Sequence, residues 1–388
     1  DTGVILFGGL SLAALIPALR NNDYKFSFLC GIFLGLAFLS KYFAALLVIG
    51  YAIYFFLVDR QFWRHGFLVL LASLPFALLN FYWNYNHCWA NFAFNFFNRH
   101  DGISGISLAS FGLFLLILFY TFLPPIFLGF FKITRHFGNA SHQAHSVQKP
   151  ALSVVIFGVS CFALISLWRA VGLHWLLWLH VFAIVALFPL TVGQWQRVAG
   201  GLVAWSLAHI ITLPLLIFLL IGPVSNNEQL RRDWIALSNT QEIFQKAQAA
   251  ADAHAASEER SGRLLLASGS YSSAAIGQYH AGQRVYVFGP GSRYGRQQDF
   301  WVDFSELDNT DWLIFTKEPA NIKTFAPFFS DVVPIAVDVK DEKFHFILAE
   351  ALDAPLYVER VIIPALRRYY AIPSWLPSGR CEVRQQYD

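Results

Sequence analysis

The sequence contains little charge. Only 14% of its 388 residues are Asp, Glu, Lys or Arg, whereas 56% are hydrophobic and 17% are aromatic. This composition excludes a soluble protein with one hydrophobic core and indicates a polytopic membrane protein. The net charge of +3 is not gathered into a basic patch, so we expect no nucleic-acid partner.

Methionine is absent and cysteine is scarce. Because the chain starts at Asp1 and contains no Met, we expect an N-terminal segment to precede it in the full protein. Cys30 and Cys161 lie in apolar runs, where cysteine is usually a small buried hydrophobe. Cys88 and Cys381 can share one side of a membrane, but their spacing does not pair them.

Several catalytic motifs are also absent. The sequence has no Ser/His/Asp set, no HExxH and no P-loop. Gly289–Trp301 is rich in glycine but lacks the GxGxxG pattern before a helix start, which excludes a dinucleotide site. One linker holds His136, His142 and His145 without a carboxylate or cysteine beside them, so we expect no metal site and no cofactor.

Long apolar runs occupy residues 1–223, the predicted membrane domain. Phe26–Val58 has 33 residues and Lys41 as its only charge, which makes about 50 Å of helix against a hydrocarbon core of about 30 Å. A turn at Lys41 would divide this run into two short spans. We then predict eight spans, which are Val4–Leu19, two within Phe26–Val58, Phe67–Tyr82, Leu108–Phe131, Ala151–Trp168, Trp175–Thr191 and Ala199–Ile221.

The distribution of Lys and Arg between the linkers favours the turn at Lys41. With the turn, one side collects most of the cations, namely Arg20, Lys25, Arg60, Arg64, Lys132, Arg135, Lys149 and Arg197. The short loops of the other side hold only Lys41, Arg99 and Arg169. Without the turn, every later linker changes sides, and Lys and Arg are spread over both sides of the membrane. We therefore predict that Lys41, Asp1 and the C-terminal region lie outside.

The predicted outside loop Trp83–Ser107 is amphipathic. On a helix of 100° per residue, aromatic and alanine side chains share one face and amides share the other: Trp89, Phe92, Ala93 and Phe96 against Asn91, Asn95 and Asn98. This pattern is typical of a helix in a membrane interface. It predicts either a border of a substrate site, with the amides facing an aqueous cavity, or a structural lid packed against neighbouring spans. Its predicted place on the same face as Lys41 favours the border.

The composition becomes more polar after Pro223. Residues 224–262 are predicted to form a helical linker. Residues 263–388 are predicted to form a small extracytoplasmic α/β domain, because short β-like runs flank a helix-like segment. The runs are Leu264–Ala267, Arg284–Phe288, Asp311–Thr316, Val332–Val339 and Lys343–Leu348, and the helix is Tyr271–His280. The residue types of Gly289–Trp301 suit either a carbohydrate or phosphate contact or a structural turn.

Cations and aromatics on the predicted outer face suggest chemistry on a lipid phosphate. A charged lysine such as Lys41 is energetically unfavourable at membrane depth unless its side chain snorkels to the interface or binds a charged ligand. Arg99 suits a bidentate phosphate contact. His174 and Trp175 either anchor the interface or contact a sugar. Without a nucleotide motif, an activated lipid-phosphate donor is the economical source of energy.

Three functions from different classes fit a membrane protein of this kind. We favour a glycosyltransferase. A transporter or flippase of a lipid-linked sugar is a weaker alternative, because it predicts polar residues and broken helices along a central path and the spans have few. An envelope scaffold with the C-terminal domain as a binding module has no specific support.

Several segments, in this order, resemble the GT-C class of glycosyltransferases that use a polyprenyl-phosphate sugar. That class includes protein O-mannosyltransferases and lipid A aminoarabinose transferases. The matching pieces are Asp1 at the head of a span, Gly31–Tyr42 (GIFLGLAFLSKY), Trp83–Trp89 (WNYNHCW), Asn98–His100 and Leu173–Trp175. The C-terminal pieces are Ser270–Tyr271, Tyr279, Ser292–Tyr294 and Trp301. These pieces, together with Pro75 and the pieces from Trp83 to Trp175, resemble the bacterial branch.

The resemblance implies inverting transfer of a sugar from a lipid phosphate to an acceptor hydroxyl. A carboxylate base takes the acceptor proton while cations stabilise the departing phosphate. Asp1 corresponds to an acidic residue at the head of a span, and the principal catalytic Asp of the class is expected upstream of it. The implied substrate-binding residues are Lys41, Arg99, His100, His174, Trp175, Arg293 and Tyr294.

The resemblance also implies the partners and the location of the protein. The donor would be a polyprenyl-phosphate sugar, and the acceptor a lipid, a glycan or a protein. The protein would be a multi-pass protein of the bacterial inner membrane with a periplasmic C-terminal domain.

Overall fold

The computed structural model describes residues 1–98, 105–135, 142–186, 192–257, 264–289, 301–316, 322–372 and 374–387. The chain divides into two compact units. The first unit comprises Asp1–Trp83 and Gly102–Pro214, and the second comprises Asn84–Asp101 and Leu215–Asp388. The described part of the first unit is helical, and the second unit contains a β-sheet.

A helix lies at each of the eight predicted spans. The helices before the C-terminal sheet region are α1 (Thr2–Arg20), α2 (Tyr24–Ser40), α3 (Ala45–Ile53), α4 (Trp63–Asn86), α5 (Ala90–Phe96), α6 (Leu108–Arg135), α7 (His142–Ser166), α8 (Leu179–Ala186) and α9 (Val192–Asn226). Of these, α5 belongs to the second unit.

Length and apolar composition qualify three helical stretches of the described chain as membrane spans, namely Thr2–Arg20, Arg60–Asn86 and Gln148–Ser166. Shorter apolar helices occupy Tyr24–Ser40, Tyr42–Val58, Leu108–Thr121 and Ala199–Thr212. The chain therefore has the helices of a polytopic membrane protein. The count of eight crossings stays a prediction.

The helix breaks at Lys41, as the length of the apolar run and the distribution of Lys and Arg together predict. α2 ends at Ser40, Lys41 is extended with φ −166° and ψ 139°, and a 3-10 turn starts at Tyr42. The Lys41 N–H still donates to the carbonyl of Ala37 at 3.2 Å, which closes the last turn of α2. Helical structure continues from Tyr42 to Val58 through α3 and a π-helical turn.

Contacts between α2 and α4 show that the chain reverses direction at this break. The Tyr24 ring stacks on His65 with centroids 4.6 Å apart, near the starts of the two helices. The Tyr42 hydroxyl donates to Asn80 Oδ1 at 3.0 Å, near their ends. The two helices therefore run parallel, and α3 between them returns in the opposite direction.

These reversals sort the linkers to the two ends of the helical unit. Lys41 contacts Asp1 at one end. At the other end, His65 Nε2 lies 2.8 Å from Asn22 Oδ1 in the preceding linker. The cation-rich linkers that start at Arg20 and Asp59 therefore share the end opposite Lys41, which is the separation that the charge distribution predicts.

Gly31 is the closest approach of α2 to the backbone of α4. A Cβ at Gly31 would lie 2.3 Å from the carbonyl oxygen of Val69 and 2.6 Å from Ala72 Cβ. Because a backbone oxygen cannot rotate away, we expect Gly31→Ala to destabilise the protein by about 1–3 kcal/mol. The measurement is thermal unfolding in detergent.

Gly112→Ala in α6 is the matched control. No described atom lies within 4 Å of a Cβ at Gly112, and alanine has the higher helix propensity. We expect this control to unfold at or above the wild-type temperature. An equal effect of the two substitutions would contradict the close approach at Gly31.

The second unit contains a five-stranded mixed sheet with the order β2-β1-β3-β5-β4. The strands are β1 (Leu264–Ser268), β2 (Val285–Val287), β3 (Asp311–Thr316), β4 (Phe329–Val339) and β5 (Glu342–Leu352). β1 pairs in parallel with β2 and β3, and β5 pairs antiparallel with β3 and β4. The predicted β runs and the helix between the first two are confirmed, with the helix observed as α12 (Tyr271–Ala281).

Helices cover one face of this sheet. α10 (Glu228–Ser238) and α11 (Thr240–Ser257) lie within the segment predicted as a helical linker. α11 packs Phe244 against Phe315 and Phe346, with ring centroids 5.8 and 5.6 Å apart. Burial of such aromatic rings contributes strongly to stability, so α11 is part of the sheet's hydrophobic core.

A second aromatic core covers the opposite face. Phe288 stacks on Tyr357 with centroids 4.2 Å apart and lies 5.6 Å from the ring of Trp312. The Tyr357 hydroxyl accepts a hydrogen bond from the N–H of Gly289 at 2.7 Å, which satisfies its polar end. The residues that follow β5 thus hold the chain after β2 in place.

Candidate functional site

Two of the predicted site residues, Asp1 and Lys41, form an ion pair at one end of the helical unit. Lys41 is the single extended residue between α2 and the next helical turn. Its side chain is 30% exposed and that of Asp1 is 20% exposed. The pair is therefore partly shielded from water, and its electrostatic attraction is screened less than that of a pair on an open surface.

Aromatic side chains connect Lys41 with Trp175. The Lys41 ammonium nitrogen lies 5.4 Å from the ring centroid of Phe43, which is within the range of a cation–π interaction. Phe43 packs on Trp175 with centroids 4.6 Å apart. Trp175 is half-buried in the 3-10 turn Leu173–Trp175, and the exposed His174 meets its ring edge-on. The structure thus places Lys41, His174 and Trp175 at one end of the unit.

Tyr42 and Asn80 add a polar contact that sequence reasoning missed. The Tyr42 hydroxyl donates to Asn80 Oδ1 at 3.0 Å, and both residues are half-buried. The signal in the sequence was the amide of Asn80 inside the apolar run Phe67–Tyr82, because a polar side chain in a span needs a partner. These residues extend the site to the end of α4.

Four predicted site residues lie outside the described residues. They are Arg99, His100, Arg293 and Tyr294. Their proposed roles rest on the sequence alone.

The chain that follows α4 is attached covalently to the C-terminal segment of the second unit. Cys88 and Cys381, which spacing did not pair, form a disulfide. The Cys88 N–H donates to the carbonyl of Arg380 at 3.0 Å, and the Arg380 N–H donates to the carbonyl of Tyr85 at 2.8 Å. Two backbone hydrogen bonds, one donated by each segment, therefore accompany the disulfide.

The backbone beside this disulfide is in an uncommon conformation. Cys88 and Trp89 are both left-handed, with φ of 55° and 52°, a conformation that costs about 1–3 kcal/mol for each such residue. The Trp89 indole N–H donates to the carbonyl of Pro377 at 3.0 Å. The disulfide and these hydrogen bonds hold the turn that starts α5.

α5 packs through its small residues. Ala90 and Ala93 are buried, whereas Phe96 is 53% exposed. The Asn98 amide donates to the carbonyl of Tyr369 at 2.7 Å. The prediction that the amides face an aqueous cavity does not hold for Asn98, because this side chain joins α5 to the C-terminal segment. These contacts join the amphipathic stretch to the C-terminal segment, and its two interpretations, a border of a substrate site and a lid on neighbouring spans, both stay predictions.

The described features define a class of protein: a multi-helix membrane protein with a cation–carboxylate pair at one end of its helical unit and an attached α/β unit. Residues 1–83 match the family model described as dolichyl-phosphate-mannose-protein mannosyltransferase. The match covers 83 of 388 residues, about a fifth of the chain, and includes Asp1, Lys41, Tyr42 and Asn80. The matched region is thus similar to that of membrane glycosyltransferases with a lipid-linked sugar donor. No curated protein and no solved structure matches the chain.

Proposed function

We propose that the protein is a membrane glycosyltransferase that moves a sugar from a polyprenyl-phosphate donor to an acceptor on the extracytoplasmic face. The Asp1–Lys41 pair within the family-matched helices carries this proposal. When the sugar leaves its donor, negative charge develops on the lipid phosphate, and a cation at the membrane boundary stabilises that charge.

Lys41 is the proposed phosphate-binding cation. An ammonium group donates up to three hydrogen bonds, so contact with Asp1 is compatible with contact to a phosphate oxygen. Asp1 is a candidate base by its chemistry, but its carboxylate contacts Lys41. This contact supports a positioning role for Asp1 more directly than proton transfer. Arg99 is proposed as a second cation on the grounds of its sequence position.

The aromatic neighbours of Lys41 are suited to the sugar. Trp175 presents a half-buried indole that packs on Phe43, so its position is fixed before a ligand arrives. We propose that Trp175 stacks on the donor sugar and that His174, exposed beside it, binds a sugar hydroxyl. His100, Arg293 and Tyr294 are proposed as further polar contacts from the sequence.

The Cys88–Cys381 disulfide supports the extracytoplasmic placement of the second unit. Disulfides persist in oxidising compartments, such as the bacterial periplasm, and are rare where thiol reductants dominate. The distribution of Lys and Arg between the linkers supports the same placement independently. Both arguments favour an extracytoplasmic second unit. The bacterial inner membrane and the periplasm are proposed on the resemblance to the bacterial branch of the class.

Reporter fusions at Gln143 and Gln297 test this topology. Gln143 lies at the start of α7, on the side predicted to be cytoplasmic, and Gln297 lies in the predicted periplasmic domain. We expect an alkaline phosphatase fusion to be active only at Gln297, because that enzyme requires disulfide formation. A cytoplasmic fluorescent reporter is expected to show the reverse pattern. Activity of one reporter at both sites would contradict the eight-span topology.

The proposed reaction is tested with the full-length protein in proteoliposomes. The donor is a polyprenyl-phosphate sugar that carries a radiolabel in the sugar, with mannose tested first because of the family match. A membrane extract supplies lipid, glycan and protein acceptors. We expect the label to move from the donor to an acceptor fraction. Label that crosses the bilayer in an intact donor would instead indicate a flippase.

A further inference from the structure

A cleft lies beside one edge of the described sheet in the second unit. β2 is the edge strand among the described strands, and the cleft is bounded by β2, by α12 and by Trp301. Its volume is about 690 Å³, within the range of about 300–1,000 Å³ that is usual for small-molecule sites. Its aromatic and polar lining includes Tyr271, Gln278, Tyr279, Arg284, Tyr286 and Trp301.

Two aromatic rings of this cleft are exposed. Tyr279 is 83% exposed and Trp301 is 64% exposed. A single exposed aromatic residue needs no explanation, but two of them border one concavity together with polar side chains. Of the two other aromatic rings that line it, Tyr271 is half-buried and Tyr286 packs edge-on against Trp312 with centroids 5.2 Å apart. The cleft therefore combines a fixed aromatic wall with two rings that can contact a ligand.

The polar groups of the cleft are mostly neutral. Arg284 is the only charged residue among the described residues that line it. Its guanidinium donates to the carbonyl of Trp301 at 3.1 Å and lies 4.9 Å from the ring centroid of Tyr286. Gln278 and Gln283 add amides, each of which donates and accepts hydrogen bonds. A site for a highly charged ligand would need more cations than this.

We propose that this cleft binds carbohydrate, in the form of a short oligosaccharide. The C–H faces of a pyranose ring would stack on Tyr279 and Trp301, because aromatic faces carry partial negative charge and attract the polarised C–H bonds of sugars. The ring hydroxyls would bond to the two glutamine amides and to Arg284. This inference does not depend on glycosyl transfer, since its test measures binding alone.

A peptide that pairs with the edge strand β2 is the competing occupant. Such a peptide binds through the backbone of the edge strand. β2 has only three residues, Val285–Val287, so it offers a short ladder of hydrogen bonds. Peptide binding of this kind would also make little use of the exposed rings. These observations favour the saccharide.

The test uses the full chain in nanodiscs without glycoside detergents. Saturation-transfer difference NMR measures the binding of soluble disaccharides of glucose, mannose and N-acetylglucosamine. We expect at least one disaccharide to bind saturably. We expect Tyr279→Ala and Trp301→Ala to weaken its affinity by about 5- to 10-fold each, and Trp301→Phe, which keeps a ring, to weaken it less.

Trp234→Ala is the matched control. Trp234 is 66% exposed in the same unit, close to the value for Trp301, but it does not line the cleft. We expect this variant to bind like the wild type, and unfolding temperatures to be unchanged in all the alanine variants because the three side chains are exposed. The proposal is overturned if no disaccharide binds, if the cleft variants bind like the wild type, or if extended peptides displace the bound sugar.

Discussion

Replacement of Lys41 by alanine is expected to lower the rate of sugar transfer at least 100-fold without unfolding the protein. Removal of one preorganised donor to a developing anion typically costs about 10²- to 10³-fold in rate. Lys41 is suited to such a role because it lies in a helix break, next to Asp1 and over Phe43. The measurement is the initial rate of transfer from the labelled lipid-phosphate donor.

Two further substitutions make this prediction specific. Lys25→Ala removes the same side chain from the opposite end of α2, and we expect it to retain wild-type activity. Lys41→Arg keeps the charge but changes its shape and hydrogen-bonding geometry, so we expect partial activity. Wild-type transfer by Lys41→Ala would refute the assigned role.

Asp1→Asn then separates the two roles considered for the carboxylate. If Asp1 positions Lys41, the loss in the double variant should be close to that in Lys41→Ala alone, because the two residues act through one interaction. If Asp1 takes the acceptor proton, its loss should add to that of Lys41. The observed ion pair predicts the first outcome.

Removal of the Cys88–Cys381 disulfide is expected to destabilise the second unit by about 2–5 kcal/mol. The bond joins residues 293 positions apart in the chain, and it constrains the unfolded state correspondingly strongly. Both cysteines are also buried. Cys381→Ser should therefore lower the unfolding temperature and increase hydrogen exchange in α5.

Chemical reduction of the disulfide provides an internal control for this prediction. Reduction of the wild type should reproduce the unfolding temperature of Cys381→Ser, and the same treatment should leave that variant unchanged. Cys161→Ala removes a free cysteine, and reduction should lower its unfolding temperature as much as that of the wild type. If reduction leaves the unfolding of the wild type unaltered, the disulfide does not stabilise the unit.

Thiol counting connects the disulfide with the location of the protein. The chain has four cysteines, of which Cys30 and Cys161 are free. Alkylation of denatured protein that was isolated from the membrane should therefore label Cys30 and Cys161 before reduction, and Cys88 and Cys381 only after it. Labelling of Cys88 and Cys381 before reduction would argue against an oxidising compartment for the second unit.

Local patterns in the sequence determined the positions of the helices and strands. Apolar runs predicted a helix at each of eight places, and the excess length of Phe26–Val58 together with the distribution of Lys and Arg predicted the break at Lys41. The β-like runs predicted the strands of the sheet, and the helix-like segment between the first two runs predicted α12. Each of these features depends on residues that are close in the chain, where periodicity and length against membrane thickness decide the structure.

Pairings between distant residues were decided only by the tertiary structure. The Cys88–Cys381 bond, the Asn98–Tyr369 contact and the packing of α11 on the sheet join segments whose sequence patterns carry no information about their partners. The amphipathic stretch after α4 shows the reason. Its pattern fits a membrane interface and a protein interface equally well, because both bury apolar atoms. Only the disulfide and the hydrogen bonds to the C-terminal segment show that protein contacts bury part of it, namely Cys88, Ala90 and Ala93.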